Sequence, residues 1–302
     1  MPFDEHASGV YTIAATPFHA DGRLDLESVD RLTDFYVERG VTGMTVLGVM
    51  GEAPKLDADE SIELVKRYVK RAGNLAVIVG VTSPGFAGMR KLARDAMEAG
   101  AQGVMIAPPS TLRTDDSIVA YYKQAAEAIG ADVPFALQDY PLAFSVVMTP
   151  AVLKRIVTEI PSCKMLKIED WPSLEKLSAI RKLEREGMRR VSILTGNGGV
   201  FVNYELERGA DGAMCGYAFP EMLVELVKLS KAGERDRAHD LFDAHLPLIR
   251  YEQQPGVGLA VRKYILKKRG ALASDAQRAP ASPLSETARA EVDYLLARLA
   301  RR

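Results

Sequence analysis

Short apolar runs alternate with longer amphipathic segments along most of this chain. Gly and Pro flank the apolar runs, which is typical of parallel strands buried on both faces. The runs predict strands over residues 10–16, 44–47, 76–79, 104–107, 134–138, 164–168, 191–195 and 212–215. The segments between them predict helices over residues 25–39, 57–72, 84–99, 114–129, 149–159, 172–185, 200–208 and 221–231.

Eight strand–helix units within about 220 residues are typical of a (β/α)8 barrel. The rival architecture is a doubly wound sheet, which needs a glycine fingerprint at the start of the first helix. The sequence Thr16-Pro17-Phe18-His19 contains no such fingerprint. The pattern therefore predicts an α/β fold, a TIM barrel with appended C-terminal helices.

The chain turns helical after the eighth unit, which predicts a barrel over residues 1–232 and a helical region over 233–302. Two helices are expected over 234–249 and 256–269, then a loop over 272–281 and a last helix that opens at Ser282-Pro283. An apolar stripe on this last helix is expected to pack on the barrel, and a subunit contact is the alternative. The stripe consists of Val292, Leu295, Leu296 and Leu299.

Composition places the chain among ordinary globular proteins with a large core, since 47% of its residues are hydrophobic and 26% are charged. The net charge of −1 argues against a nucleic-acid or membrane partner. Cys163 and Cys215 form no disulfide framework and fit a reducing compartment. Residues 1–6 lack the features of a signal peptide, and no apolar run approaches the roughly 20 residues of a membrane span. We expect a cytoplasmic protein.

The chemistry of such a barrel lies at the C-terminal ends of its strands. Few titrating groups occur there, and no His, Cys and carboxylate residues have metal-ligand spacing. The histidines lie elsewhere in the sequence, at positions 6, 19, 239 and 245. No Ser or Cys has a nearby base, so Lys167 remains as the candidate nucleophile.

Lys167 lies near the end of the sixth predicted strand. It could reach water or pair with Glu169, but at this end of a barrel burial is expected to leave its amine uncharged and nucleophilic. Residues 195–199 could cradle a phosphate, yet no Lys or Arg occurs between Thr195 and Glu207 to support that. Glu52 is either a helix-entry residue or a buried acceptor within its loop.

Three motifs resemble the dihydrodipicolinate synthase / N-acetylneuraminate lyase family: Gly48-x-x-Gly51-Glu52, a fifth strand followed by Pro141, and Lys167 on the sixth strand. The resemblance implies a homo-oligomeric barrel, a dimer or tetramer, and no cofactor. It implies that Lys167 forms a Schiff base with the ketone of pyruvate or another 2-oxo acid, with Gln138 as the second catalytic residue. It further implies substrate contacts at Val49, Met50, Gly51, Ser110, Gly196 and Met214.

The chain departs from the family pattern at several positions. Val49 and Met50 stand in place of two threonines, and Gln138 stands in place of the tyrosine that moves protons. Ser110-Thr111 replaces a tyrosine pair, and the arginine that follows Pro141 is missing from the apolar segment 142–144. Tyr140 is one candidate substitute, although alternation is expected to turn it away from where Gln138 points. Asp139 and Glu169 are candidate acid/base groups.

These losses argue against lysine biosynthesis. The Gln-Asp-x-Pro form resembles the branch that contains 2-keto-3-deoxy sugar-acid dehydratases. We therefore predict a Schiff-base lyase, a dehydratase or an aldolase, that acts on a 2-keto-3-deoxy sugar acid. The alternatives are dihydrodipicolinate synthase proper and a non-catalytic barrel that binds a small carboxylate.

Overall fold

Eight parallel strands close into a barrel in which each strand pairs with the next and the eighth pairs with the first. The computed structural model describes residues 3–171 and 173–301. The fold class predicted from the hydrophobic pattern is confirmed. The strands are β1 Gly9–Ile13, β2 Gly43–Val46, β3 Ala76–Gly80, β4 Gly103–Ile106, β5 Phe135–Asp139, β6 Cys163–Ile168, β7 Ser192–Thr195 and β8 Gly212–Ala213.

Helices follow the strands and form the outer layer. They are α1 Leu26–Glu38, α2 Ala58–Ala72, α3 Phe86–Glu98, α4 Asp115–Ile129, α5 Pro141–Phe144, α6 Pro150–Glu159, α7 Ser173–Arg185, α8 Val202–Glu207 and α9 Pro220–Lys231. Side chains cap the N-termini of several of these helices. At α2, for example, Asp57 and Glu60 form a capping box. Pro172, the predicted start of α7, lies outside the described residues. Within the described ranges, no helix is both long and apolar enough to cross a membrane.

Some strands of the structure end earlier than the hydrophobic pattern predicted. The first was expected to reach Thr16, but β1 ends at Ile13, and the Thr16 hydroxyl instead donates to the Gly51 carbonyl at 2.5 Å. Thr16 therefore belongs to the layer of loops above the barrel. The short helix α5 was not predicted, although Pro141 suits its first position.

Side chains fill the interior of the barrel. Phe3 packs so closely on Gly103 that a Cβ added there would lie 2.4 Å from its ring. The interior cluster consists of Phe3, Ala7, Tyr11, Ile13, Ala76, Ile78, Met105, Ala136, Met165, Leu194 and Met214. A second, larger cluster packs between the strands and the helices.

Three helices follow the barrel: α10 Arg235–Glu252, α11 Gly258–Lys268 and α12 Glu286–Leu299. The first packs on α9, and α12 packs on α10 and α11. Val292 of the predicted stripe is fully buried, and the three leucines are partly buried. The stripe was expected to pack on the barrel, but α12 packs mainly on the other two C-terminal helices. The division of the chain at residue 232 stays a prediction.

Glu52 ties the loop after β2 to the C-terminal region. Its carboxylate contacts Lys263 Nζ at 2.5 Å and Lys55 Nζ at 2.8 Å, and it accepts the backbone N–H of Arg278 at 3.1 Å. Lys263, on α11, is fully buried and also donates to the Ala276 carbonyl at 2.8 Å. Burial lowers the pKa of Lys263, and Glu52 opposes that shift. Of the two interpretations of Glu52, the structure supports the buried acceptor.

Replacing Glu52 by Gln is expected to lower the free energy of unfolding by about 3–5 kcal/mol, because a buried cation loses its charged partner. Lys263 would then keep only neutral oxygens. Lys263→Met is expected to cost less, because Glu52 retains Lys55 and the N–H of Arg278. Denaturant titration of the two variants measures the difference.

The matched control is Asp34→Asn, which breaks an exposed ion pair with Arg71. Exposed pairs contribute about 0–1 kcal/mol, so this variant should stay close to wild type. If Glu52→Gln and Asp34→Asn cost the same, the ion pair between Glu52 and Lys263 does not hold the C-terminal region.

Candidate active site

A small cavity of about 60 Å³ opens at the C-terminal end of the barrel. Strand ends supply most of its lining, as expected for a catalytic barrel. Its lining residues are Ile13, Val49, Met50, Gln138, Tyr140, Lys167, Glu169, Asn197, Gly198, Met214, Cys215, Gly216, Gln253 and Arg262.

Lys167 points into this cavity from β6. It pairs in the ladder with Gln138 on β5 and with Leu194 on β7. Only 4% of the residue is exposed, and its Nζ lies 2.8 Å from Glu169 Oε1. The predicted nucleophile is therefore buried and pairs with one carboxylate, instead of reaching water.

The Glu169 carboxylate is held in place from three sides. Oε1 accepts a hydrogen bond from Gln138 Nε2 at 2.6 Å and contacts the lysine, while Oε2 accepts the backbone N–H of Asn197 at 3.0 Å. A Cβ on Gly196 would lie 2.5 Å from Glu169 Cγ. Gly196 thus makes room for the carboxylate, which cannot easily move away from Lys167.

Tyr140 lines the same cavity as Gln138, so the expectation that it turns away is wrong. Residues two apart in an extended segment share a face, and it is Asp139 between them that faces outward. Burial raises the pKa of Tyr140, and the charge of Glu169 adds to the increase. The phenol therefore keeps its proton at neutral pH and can donate it in a hydrogen bond.

Asp139 lies behind the barrel wall, where its Oδ2 contacts Lys176 Nζ at 2.7 Å. Lys176 also contacts Asp170. Burial raises the pKa of Asp139 to about 7, and Lys176 opposes the increase. Among the described residues Asp139 is not part of the cavity lining, so it is poorly placed for acid/base work on a ligand there.

The six residues expected to contact substrate fall into two groups. Val49, Met50 and Met214 line the cavity. Gly51, Ser110 and Gly196 are described but lie outside the lining. Ser110 is exposed and its carbonyl accepts from Arg113.

Two side chains from the C-terminal helices also reach the cavity, and strand ends alone could not have revealed them. Arg262 comes from α11, and Gln253 follows α10 and donates to Asn197 Oδ1 at 2.8 Å. The available signal was the two adjacent cations Arg262-Lys263, which are flanked by the apolar runs 259–261 and 264–266. Charged residues there need buried partners.

A model described as the dihydrodipicolinate synthetase family matches residues 6–299. The chain belongs to this family. It is a family of class I Schiff-base lyases, for which pyruvate is a typical substrate. The prediction of a Schiff-base lyase is confirmed at this level.

Three proteins with similar sequences illustrate the activities of the relatives. The crystal structure of dihydrodipicolinate synthase from Rhodopseudomonas palustris is 62% identical, with a TM-score of 0.97 over 99% of both chains. The L-2-keto-3-deoxyarabonate dehydratase of Azospirillum brasilense is 29% identical over 96% of this chain and 94% of its own. The 4-hydroxy-tetrahydrodipicolinate synthase of Thermosipho africanus is 28% identical over 80% of this chain and 82% of its own.

The thiol at the cavity of this family member is unreactive. Burial raises the pKa of Cys215 to about 12, so it stays protonated. Cys163 is likewise buried and free. Among the described residues, no group of three or more His, Cys, Asp or Glu side chains is placed to hold a metal ion. Lys167 and Glu169, in contact at 2.8 Å, are the side chains of the cavity on which its chemistry can be built.

Proposed function

We propose that Lys167 forms an imine with C2 of a 2-oxo acid and that Glu169 moves the protons of the reaction. The observation that carries this proposal is the 2.8 Å contact between Lys167 Nζ and Glu169 Oε1 inside the cavity. A lysine attacks a carbonyl only as the neutral amine. A carboxylate in contact with the amine can take its proton without a solvent intermediary.

The first half of the reaction then needs only these two groups. Glu169 accepts a proton from Lys167, and the free amine adds to the C2 ketone. The resulting carbinolamine loses its hydroxyl group as water when Glu169 returns the proton. An iminium and an ionised Glu169 remain, and one water molecule is released.

The second half uses the iminium as an electron sink. Glu169 removes a proton from C3 and leaves an enamine. The enamine either attacks an aldehyde carbon, which is condensation, or expels a C4 hydroxyl, which is dehydration. In both cases we expect Glu169 to return its proton to the departing or newly formed oxygen. One water molecule then hydrolyses the product iminium, which breaks the bond between Lys167 and C2, releases the product and restores the amine. The Gln138 amide does not titrate and holds Glu169 in position, and the Tyr140 phenol is a second donor.

The carboxylate of the 2-oxo acid is proposed to bind at the short 3₁₀ turn Val49–Gly51. Val49 and Met50 line the cavity, and the first N–H groups of such a turn have no partner within it. Backbone N–H groups at this position do not need the two hydroxyl groups that the family pattern carries. The proposed substrate is thus a pyruvate-type acid. Assembly into a homo-oligomer stays a prediction.

Condensation, the reaction of a dihydrodipicolinate synthase, is the first candidate. The 62% identity to the Rhodopseudomonas palustris synthase favours it over the predicted dehydratase or aldolase. Tyr140 also weakens the sequence argument against a synthase, because a phenol is present in the cavity after all. The dehydratase is the second candidate, favoured by the Azospirillum brasilense relative and by Gln138.

Borohydride reduction in the presence of pyruvate is expected to add the mass of one reduced adduct to the wild-type chain. Lys167→Ala should abolish the gain, because the amine is lost. Lys164→Ala is the matched control, since this lysine lies on the same strand and pairs with Glu5, both side chains being partly exposed. Intact-mass spectrometry measures the adduct. An adduct that survives Lys167→Ala would place the imine on another residue.

Exchange of the pyruvate methyl protons in D₂O tests the role of Glu169. The wild type is expected to catalyse the exchange, and Glu169→Gln should slow it by about 10²- to 10⁴-fold, the usual contribution of a positioned base. Asp139→Asn is the control, because it alters a buried carboxylate outside the cavity. Proton NMR follows the methyl signal. Undiminished exchange in Glu169→Gln would move the base to another group, such as Tyr140.

Turnover assays separate the two candidate reactions. We expect the wild type to consume pyruvate together with aspartate semialdehyde faster than it dehydrates L-2-keto-3-deoxyarabonate. Coupled spectrophotometry and product mass measure both rates. The reverse order would favour the dehydratase. If the chain binds pyruvate without an adduct and turns over neither substrate, the non-catalytic barrel is correct.

A further inference from the structure

The guanidinium of Arg262 is buried at the wall of the cavity with part of its donor capacity unused. Only 2% of the residue is exposed. Its Nε donates to Glu252 Oε1 at 2.5 Å. Its Nη1 is buried and finds no hydrogen-bond partner among the described residues. Buried donors normally have partners, so an unused one on a cavity wall points to a ligand atom.

Gly216, which follows β8, lets this guanidinium come close. A Cβ at residue 216 would lie 2.2 Å from Arg262 Nη1 and 2.8 Å from Cζ. The glycine has no positive φ, so its backbone conformation does not require a glycine. What requires it is the space that Arg262 occupies. The contact between the barrel and α11 is thus shaped around the guanidinium, and both Arg262 and Gly216 line the cavity.

The other charges at the cavity leave Nη1 available. Lys167 and Glu169 are each other's partners. Glu252 neutralises Arg262 through Nε, and its second oxygen accepts the N–H of Ala218 at 3.3 Å. The guanidinium is therefore balanced in charge but retains an unused charge-assisted donor, a strong and directional kind of hydrogen-bond partner.

We propose that Arg262 Nη1 binds an oxygen acceptor on the part of the reacting molecule that lies beyond C3, either a carboxylate or a hydroxyl group. This inference rests on the proposed function, in which Lys167 holds C2 and the turn at Val49–Gly51 holds the C1 carboxylate. Arg262 is then a specificity-determining residue. A substrate with an apolar end would leave the buried donor without a partner. A site built to hydrogen-bond its substrate discriminates strongly against such an analogue.

Dissociation constants for 2-oxo acids of similar length test the inference. Calorimetry is run with 2-oxoglutarate, which ends in a carboxylate, with 5-hydroxy-2-oxopentanoate, which ends in a hydroxyl and has no C4 hydroxyl to lose, and with 2-oxopentanoate, which ends in a methyl group. The wild type is expected to bind at least one of the oxygen-ended acids about 10- to 100-fold more tightly than 2-oxopentanoate, as for a hydrogen bond to a charged group. The acid that binds more tightly than 2-oxopentanoate identifies the acceptor as a carboxylate or a hydroxyl group.

Two variants remove the contact in different ways. Arg262→Lys keeps the charge but loses the planar donor, and Gly216→Ala pushes Nη1 away while Glu252 remains paired. Both should lose the preference for an oxygen-ended acid, with a much smaller effect on 2-oxopentanoate. Lys267→Met is the control, since this exposed cation at the end of α11 pairs with Asp275 and should leave the preference intact. If Arg262→Lys unfolds, Gly216→Ala carries the test.

Each outcome has a definite meaning. No wild-type preference, or an equal loss for all three acids in both variants, would make Arg262 a structural residue and overturn the inference. Borohydride trapping with pyruvate is run on the same wild-type protein. Absence of that adduct refutes the proposed function, while the preference among acids stays measurable by calorimetry. An adduct without any preference refutes only the role of Arg262.

Discussion

The chemistry of this barrel depends on one contact, between a buried lysine amine and a carboxylate 2.8 Å away. Lysine is rarely buried without a partner, and Glu169 supplies that partner within the cavity. Glu169 is in turn held by Gln138 from β5 and by the N–H of Asn197 after β7, in the space that Gly196 leaves free. Three neighbouring strands therefore have to be in register before the pair can form.

The C-terminal helices complete the site as well as covering the barrel. Lys263 and Arg262 are consecutive on α11 and have different tasks. Lys263 anchors the loop after β2 through Glu52, and Arg262 reaches the cavity beside Gly216. Because both side chains are buried and charged, any shift of α11 would leave charges without partners. The helix is thus fixed at the position that the cavity requires.

The alternation of side chains along a strand correctly predicts which residues of β5 and β6 face the cavity. Lys167 points inward with Met165 because alternate residues of β6 share a face. The same rule places Tyr140 beside Gln138 and turns Asp139 outward to Lys176, opposite to what was expected of Tyr140. Ser110 could not be judged in this way, because it lies in a loop beyond the strand, where alternation no longer applies.

The amino-acid sequence by itself determined the barrel, its eight strands and the place of Lys167, because these follow from apolar runs and local spacing. Only the tertiary structure decided that Glu169 holds the amine, that Glu52 is a buried acceptor for Lys263, and that Arg262 reaches the cavity. The last two join residues more than 40 positions apart, Glu52 to Lys263 and Gly216 to Arg262. Such contacts depend on how the helices pack on the closed barrel, and no local pattern encodes that packing.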